Sequence, residues 1–467
     1  MPTPFAALIL AAGKGTRMRS NRPKVLAPLA GRPLIQHVLA AVNALRPKRV
    51  LTVIGPGMEE LAAAVAPAET VIQAQPRGTG HAVLAAKSKL GSFAGDVIVV
   101  PGDAPLLTRE TLNLLLTDRR QYPEAALTVL GMWLPDAGRY GRIVLGPGNV
   151  LERIVEAGDA NEEERALRFA NSGILIANAK LLFELSAGLS AENAQREYYL
   201  TDIVKLARER GLVCRAVEAP ADDAAGVNSP EELAEAEALM QMRLRVRAVA
   251  SGAILLAADT VYFSADTKIG AGSIVGPFVV FGPEVKIGAN VTIPAFCHIV
   301  GATIGDNSIV GPFARLRSGT ALAESVHIGN FVEVKNARLA KGVKANHLAY
   351  LGDAAVGEGS NIGAGSITCN YDGIEKHRTN IGKGVFVGTN VSLVAPVNIG
   401  QGAILAAGST ITDNVPADAL AFGRARQKTQ PGEAKKWRAR RKTELAGAGK
   451  KPAKKSKSKS KPKKGRR

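Results

Sequence analysis

Apolar residues follow two different rhythms along this chain. In the first half they come as continuous runs: FAALILAA at 5–12, VLTVIG at 50–55 and DVIVVPGD at 96–103. Between them lie longer stretches with helical spacing, PLIQHVLAAVNAL at 33–45 and GHAVLAAKSKL at 80–90. Apolar strands alternating with amphipathic helices predict a parallel sheet covered on both faces. Ligands of such sheets sit at the carboxyl ends of the strands. Two polar stretches fall there, LAAGKGTRM at 10–18 and PGD at 101–103.

Near residue 228 the rhythm changes. Ser229 is a good N-cap, Pro230 suits the first helical position and Glu232 stands where a capping box needs it. A linking helix is predicted over 229–250. Beyond it an aliphatic residue recurs every six positions, as in IGAGSI-VGPFVV-FGPEVK-IGANVT from Ile269, IGDNSI-VGPFAR from Ile304 and IGKGVF-VGTNVS-LVAPVN-IGQGAI from Ile381. Hexapeptides that hold register over several units coil into a parallel β-helix, their aliphatic side chains stacked inside. Residues 321–361 keep the period less well, and TCNYDGIEKHRTN at 368–380 interrupts it. A solenoid accommodates insertions only on its outside, so this loop is a candidate functional feature. The predicted organisation is 1–228, 229–250, 251–430 and a basic end at 431–467.

The net charge of +19 suggests a nucleic-acid partner until it is located. Residues 450–467 hold eleven Lys or Arg and no acid. That stretch lacks the apolar residues to fold and predicts a disordered tail, suited at most to loose contact with nucleic acid or an anionic surface. No apolar run is long enough to span a membrane. The N-terminal apolar run follows no basic residue and reads as a buried strand rather than a signal peptide. Three scattered cysteines, Cys214, Cys297 and Cys369, argue against a disulfide framework or a zinc site and fit a reducing cytoplasm.

LAAGKGTRM has the residue stock of a phosphate cradle. It is not a P-loop, because Leu8 stands where the first glycine belongs and Gly15 follows Lys14. Nor is it a dinucleotide fingerprint, because Gly13 and Gly15 are followed by Met18. What remains is a loop whose backbone N–H groups can face an anion, with Lys14 and Arg17 adding charge. L-A-A-G-x-G-T-R-M followed by Pro23-Lys24 resembles the sugar-1-phosphate nucleotidylyltransferases. With the hexapeptide half added, residues 5–430 resemble the bifunctional N-acetylglucosamine-1-phosphate uridylyltransferase / glucosamine-1-phosphate N-acetyltransferase family.

The resemblance implies an α/β Rossmann-like nucleotidyltransferase domain joined to a left-handed parallel β-helix. It also implies two reactions: acetyl transfer from acetyl-CoA to glucosamine-1-phosphate, then uridylyl transfer from UTP with release of pyrophosphate. The product, UDP-N-acetylglucosamine, feeds peptidoglycan and lipopolysaccharide precursors. By the same resemblance Leu10, Ala11, Ala12 and Gly13 lie against the nucleotide, Arg17 and Lys24 counter phosphate charge, and Gln73, Gly78 and Thr79 hold the uracil. Gly141, Glu156 and Asn171 hold the sugar, and Asp103 and Asn228 bind Mg²⁺ through hard oxygens. In the solenoid His347 is the expected general base and Glu333 the carboxylate that orients it. Arg317, Lys335, Tyr350 and Asn361 are expected on the sugar phosphate. Asn370, Tyr371, Thr389, Ala407 and Arg424 are expected around acetyl-CoA. Two positions depart from the family pattern: Pro101 precedes Gly102-Asp103 where tyrosine is frequent, and Thr389 stands where serine is usual. Members of the family are homotrimers. A solenoid serving only as a scaffold is the competing expectation, but a scaffold needs none of Arg317, Glu333, Lys335, His347, Tyr350, Asn370 and Tyr371.

Overall fold

A computed structural model describes residues 3–13 and 15–448. Lys14 and the basic stretch 450–467 lie outside the described residues. The first half is built on a nine-stranded sheet. Across it the strands run Cys214–Ala219, Leu127–Trp133, Phe169–Asn178, Asp96–Pro101, Phe5–Leu10, Arg49–Ile54 and Glu69–Ile72. Phe5–Leu10 lies at the centre, parallel to both neighbours, and its residues 6–9 are fully buried because helices cover both faces. The sheet is mixed rather than wholly parallel: Phe169–Asn178 runs antiparallel to Asp96–Pro101 and Leu127–Trp133. The cause is local, since a hairpin of Arg142–Leu145 and Leu151–Val155 returns the chain without a crossover helix. The expected helix over 33–45 is Leu34–Ala44, and that over 80–90 is two pieces, Thr79–Ala85 and Lys87–Leu90.

The linking helix is Pro230–Ala250. Ser229 Oγ accepts from Glu232 N at 3.3 Å. The reciprocal half of the capping box goes elsewhere: the Glu232 carboxylate accepts from Asn228 N at 2.8 Å, one residue before the cap, and pairs with Arg139. The helix has almost no amphipathic stripe because it is gripped on both sides. Arg243 donates to Leu106 O and to Asp223 of the first domain, and Gln241 bonds both the N–H and C=O of Phe263 in the first coil.

From Ile254 onward the chain winds through three parallel sheets of ten, eight and eight short strands, a left-handed parallel β-helix. Lys268 pairs with Lys286, Ile274 with Thr292 and Val280 with His298, so one coil advances by three hexapeptides. Stacked aliphatics such as Val275, Ile293, Val310 and Ile328 fill the axis without exposure. The insertion stays outside: Ile367 pairs with Ser392 and the strands resume in register.

Candidate functional sites

A cavity of about 560 Å³ opens at the carboxyl ends of the central strands. Its lining brings together Leu10, Ala11, Ala12, Gly13, Lys24, Gln73, Gly78, Thr79, Asp103, Glu156 and Asn171. The Ala11 N–H is taken by Val53 O at 2.8 Å, so the loop frees itself from the sheet only at Ala12 and Gly13. Gly15 has φ +60°, and a Cβ there would meet Lys24 Cβ at 2.5 Å. The loop therefore wraps the lysine stem, and a glycine is needed where it does so. Lys24 opens a one-turn helix, Lys24–Leu26, anchored by buried Val25 and Leu26.

At the other side of the mouth, Val227 N donates to Asp103 O at 2.7 Å and so sets Asn228 beside Asp103. The Lys24 ammonium pairs with Asp103 and donates to Asn228 Oδ1 at 2.7 Å, and Arg17 donates to the same oxygen at 3.2 Å. Gln73 is buried and its amide donates to Gly78 O at 3.1 Å. Pro101 ends its strand opposite Leu10 and packs against Gly173.

The end of the cavity where the sugar is expected is made by two irregularities. The hairpin pairs Arg142 with Val155, which places Gly141 beside Glu156. The register slip between Asn171 and Leu175 is a bulge that frees Asn171 to turn into the cavity. Glu156 is pushed above the usual carboxylate range, by burial first, and the Thr201 hydroxyl donates to it at 2.9 Å. Thr201, with Glu197 and Leu200, lines the cavity without having been foreseen. REYYLTD at 196–202 has no spacing that marks it.

In the solenoid, one corner carries the histidine. Backbone bonds stack the turns there: Leu348 N donates to Asn330 O, Gly365 N to Leu348 O, Asn390 N to Ala364 O and Gly408 N to Thr389 O. His347, Thr389 and Ala407 thus share one edge, and the Arg424 stem lies 3.7 Å from where a Gly408 Cβ would stand. His347 Nδ1 meets Asn330 Oδ1 at 2.8 Å. Within the chain the Glu333 carboxylate, the expected orienting group, is drawn to Arg317 at 2.8 Å and Arg315 at 3.6 Å. The reason is register: Asn330 lies directly under His347, whereas Glu333 lies round the turn between Arg315 and Tyr350.

Tyr350 lies over Gly352 on that second face. Lys376, from the insertion, stands against Lys335 and, with Arg317, holds its ammonium below the usual lysine range. The interruption of the period was the signal that could have found Lys376. Asn370 reaches Asp353, and the Tyr371 hydroxyl turns back to Gly373 O at 2.6 Å. Asn361 sits on the other face, paired with Lys344 and Phe386. One chain therefore spreads these residues over two faces that meet at the His347 edge.

Comparison with known proteins finds a separate family match in each half of the chain. The MobA-like NTP transferase domain matches residues 7–174, and the bacterial transferase hexapeptide (six repeats) matches 266–301 and 378–413. A solved UDP-glucose pyrophosphorylase in complex with UDP-glucose aligns with 51% of this chain and 99% of its own, at 19% identity and TM-score 0.42. The "Bifunctional protein GlmU" of Paramagnetospirillum magneticum is 50% identical over 435 residues, covering 93% of this chain and 97% of the relative. That of Acidiphilium cryptum is 52% identical over 428 residues, 92% and 97% of the two chains. That of Zymomonas mobilis is 48% identical over 443 residues, 94% and 98%. Identity of this order over both domains means that the chain belongs to the family of bifunctional GlmU proteins.

Proposed function

We propose that the His347 edge and the strand-end cavity carry two successive steps to UDP-N-acetylglucosamine. The chain is a bifunctional acetyltransferase and uridylyltransferase. The placement of the two chemistries rests on one observation: one set of polar groups lines the strand-end cavity and a separate set borders the His347 edge of the solenoid.

At the solenoid edge, the Asn330 amide oxygen accepts from His347 Nδ1–H. The Nε2 lone pair is then left to take a proton from the amine of glucosamine-1-phosphate. The amine attacks the acetyl carbonyl of acetyl-CoA, the thiolate leaves, and no acyl-enzyme forms, so Cys369 needs no role. Arg317, Lys335 and Lys376 form a cationic cluster that suits a phosphate monoester. Glu333 contributes by ordering the two arginines. Because the groups occupy two faces of one prism, a second copy is needed to close the site, as in a homotrimer. Asn361, Asn370 and Tyr371 border that junction, and Thr389, Ala407 and Arg424 continue it for the CoA chain.

In the first domain, Arg17 and Lys24 counter the triphosphate, Gln73, Gly78 and Thr79 face the base, and Gly141, Glu156 and Asn171 face the sugar. Asp103 and Asn228 fit a divalent cation: a stand-in cation, the Lys24 ammonium, already meets both oxygens. One carboxylate and one amide leave the other positions to phosphate and water, the Mg²⁺ pattern. A Mg²⁺ ion held by Asp103 and Asn228 would supply charge neutralisation for uridylyl transfer. The protein's part is to hold the attacking sugar phosphate in line. A cytoplasmic location fits these substrates, and among the described residues no helix is long and apolar enough to cross a membrane.

The test is product analysis by mass with glucosamine-1-phosphate, acetyl-CoA, UTP and Mg²⁺. Wild type should yield UDP-N-acetylglucosamine. His347→Ala should stop at glucosamine-1-phosphate, and Asp103→Ala at N-acetylglucosamine-1-phosphate. A His347→Ala enzyme that still acetylates at the wild-type rate would remove the assignment at the solenoid edge.

A further inference from the structure

The Lys24 ammonium occupies the point where Asp103 and Asn228 converge. Lys24 and Asp103 side chains are each only 15% exposed, so the pair is shielded from water and salt. Asn228 Oδ1 is engaged twice, by Lys24 at 2.7 Å and by Arg17 at 3.2 Å. The lysine stem is clasped by the Gly15 turn and its backbone is fixed by buried Val25 and Leu26, so only the far end of the side chain is free to swing. A divalent metal ion cannot take the point between these two oxygens while the ammonium is on it. Moving the ammonium away leaves a partly buried positive charge that requires a new anion. Among the described residues the loop side of the cavity offers no anion: its lining there is Leu10, Ala11, Ala12 and Gly13. A triphosphate lying against that loop would be the new partner.

We infer that Lys24 is a built-in counter-ion that closes the cation site until a nucleotide triphosphate takes over its charge, so that divalent cation and nucleotide bind as a coupled pair. The inference rests on the reading of Asp103 and Asn228 as cation ligands. Its consequence is reciprocal by thermodynamic necessity: the nucleotide raises cation affinity by the same factor by which the cation raises nucleotide affinity. Couplings of this kind are about 5–150-fold.

The experiment is Mn²⁺ binding to the full-length protein, followed by electron paramagnetic resonance of free Mn²⁺, with and without UTP and with no sugar phosphate present. Wild type should bind Mn²⁺ weakly alone and, in its Asp103-dependent part, about tenfold or more tightly with UTP. Lys24→Met and Lys24→Gln should bind Mn²⁺ alone about tenfold more tightly than wild type, with a smaller gain from UTP. Lys24→Arg, which keeps the charge, should behave as wild type. Circular dichroism selects whichever neutral variant is folded. Mn²⁺ affinity that is unchanged or weaker in a folded neutral variant would overturn the counter-ion role. Binding that is the same in Asp103→Asn as in wild type, with and without UTP, would instead overturn the cation site itself, and the inference with it.

Discussion

At the residue scale, burial decides which groups carry information about function. Glu156 is a carboxylate held above its ordinary range by burial in the sugar end of the cavity, with Asp202 and Asp159 adding to the effect. A raised folded-state pKa favours the protonated fold. Its contribution to stability is therefore complete below the unfolded value of about 4.5 and is lost as pH rises through the folded value. Glu156→Gln should raise the thermal midpoint at pH 7.5 and lose that advantage near pH 4. The same change should raise the KM for N-acetylglucosamine-1-phosphate about tenfold, because a charged hydrogen bond of about 1.5–3 kcal/mol is weakened. A midpoint unchanged at pH 7.5 would show that the carboxylate is not held against ionisation. Asn330 offers the complementary case on the solenoid. If its amide fixes the Nδ1–H tautomer of His347, Asn330→Ala should lower acetyl-transfer kcat by about 10²-fold and displace the pH profile of kcat, leaving uridylyl transfer intact. A profile of unchanged shape would leave Asn330 as packing.

At the scale of elements, patterning was readable wherever one period governed many residues. The run FAALILAA had to be a buried strand, and the six-residue period had to coil, because either choice buries its aliphatics and no other does. What escaped reading was set by tertiary partners. The direction of Phe169–Asn178 depends on a hairpin whose strands carry no stronger signal than their surroundings. The Asn171 bulge, the Thr201 contact and the Asn330–His347 pair all join residues whose proximity exists only once the sheet or coil has formed. The loop residues 10–13, with Arg17, Lys24 and Asp103, were marked by a motif and a strand end, whereas Gln73, Gly78, Thr79, Gly141, Glu156 and Asn171 were named by resemblance alone. Resemblance named His347, but the geometry names its partner. The linking helix shows the same contrast: its cap and first turn are local, while its grip on both domains is not. Gln241 is 2% exposed and satisfies both backbone groups of Phe263. Gln241→Ala should strand those groups and cost about 1–3 kcal/mol each, read as faster amide exchange in 254–281 while 5–10 keeps its protection. Equal exchange in both segments would mean that the helix does not hold the first coil by this contact.

At the scale of the whole molecule, the two halves are joined by more than the linking helix. The small hairpin of Pro28–Leu29 and Arg32–Pro33, which follows the glycine loop, pushes Ala30 into the solenoid: Ala265 N and Ser264 Oγ both donate to Ala30 O, and Glu237 accepts from Ala30 N at 2.8 Å. The solenoid in turn presents an apolar ridge. Phe278, Phe296, Phe313 and Phe331 stack with ring centroids 4.9–5.2 Å apart, each about half exposed, and Leu348 extends the line to the residue beside His347. All five adopt positive φ, which an L-residue takes at some cost, so the ridge is held in place by the corner of the coil and not by a preference of its own. An exposed aromatic row of this length is a candidate contact surface. Because the ridge runs into the His347 edge, which we propose a second copy completes, the cover expected in the proposed trimer is the neighbouring solenoid. Phe331→Lys should then place a charge in that contact, shift the mass seen by light scattering from trimer toward monomer, and abolish acetyl transfer while N-acetylglucosamine-1-phosphate is still converted to the UDP-sugar. A variant that remains fully trimeric and acetylates normally would place the contact elsewhere and leave the ridge without a role in assembly. A monomer that retains acetyl transfer would show that one chain, two faces and all, is a sufficient site.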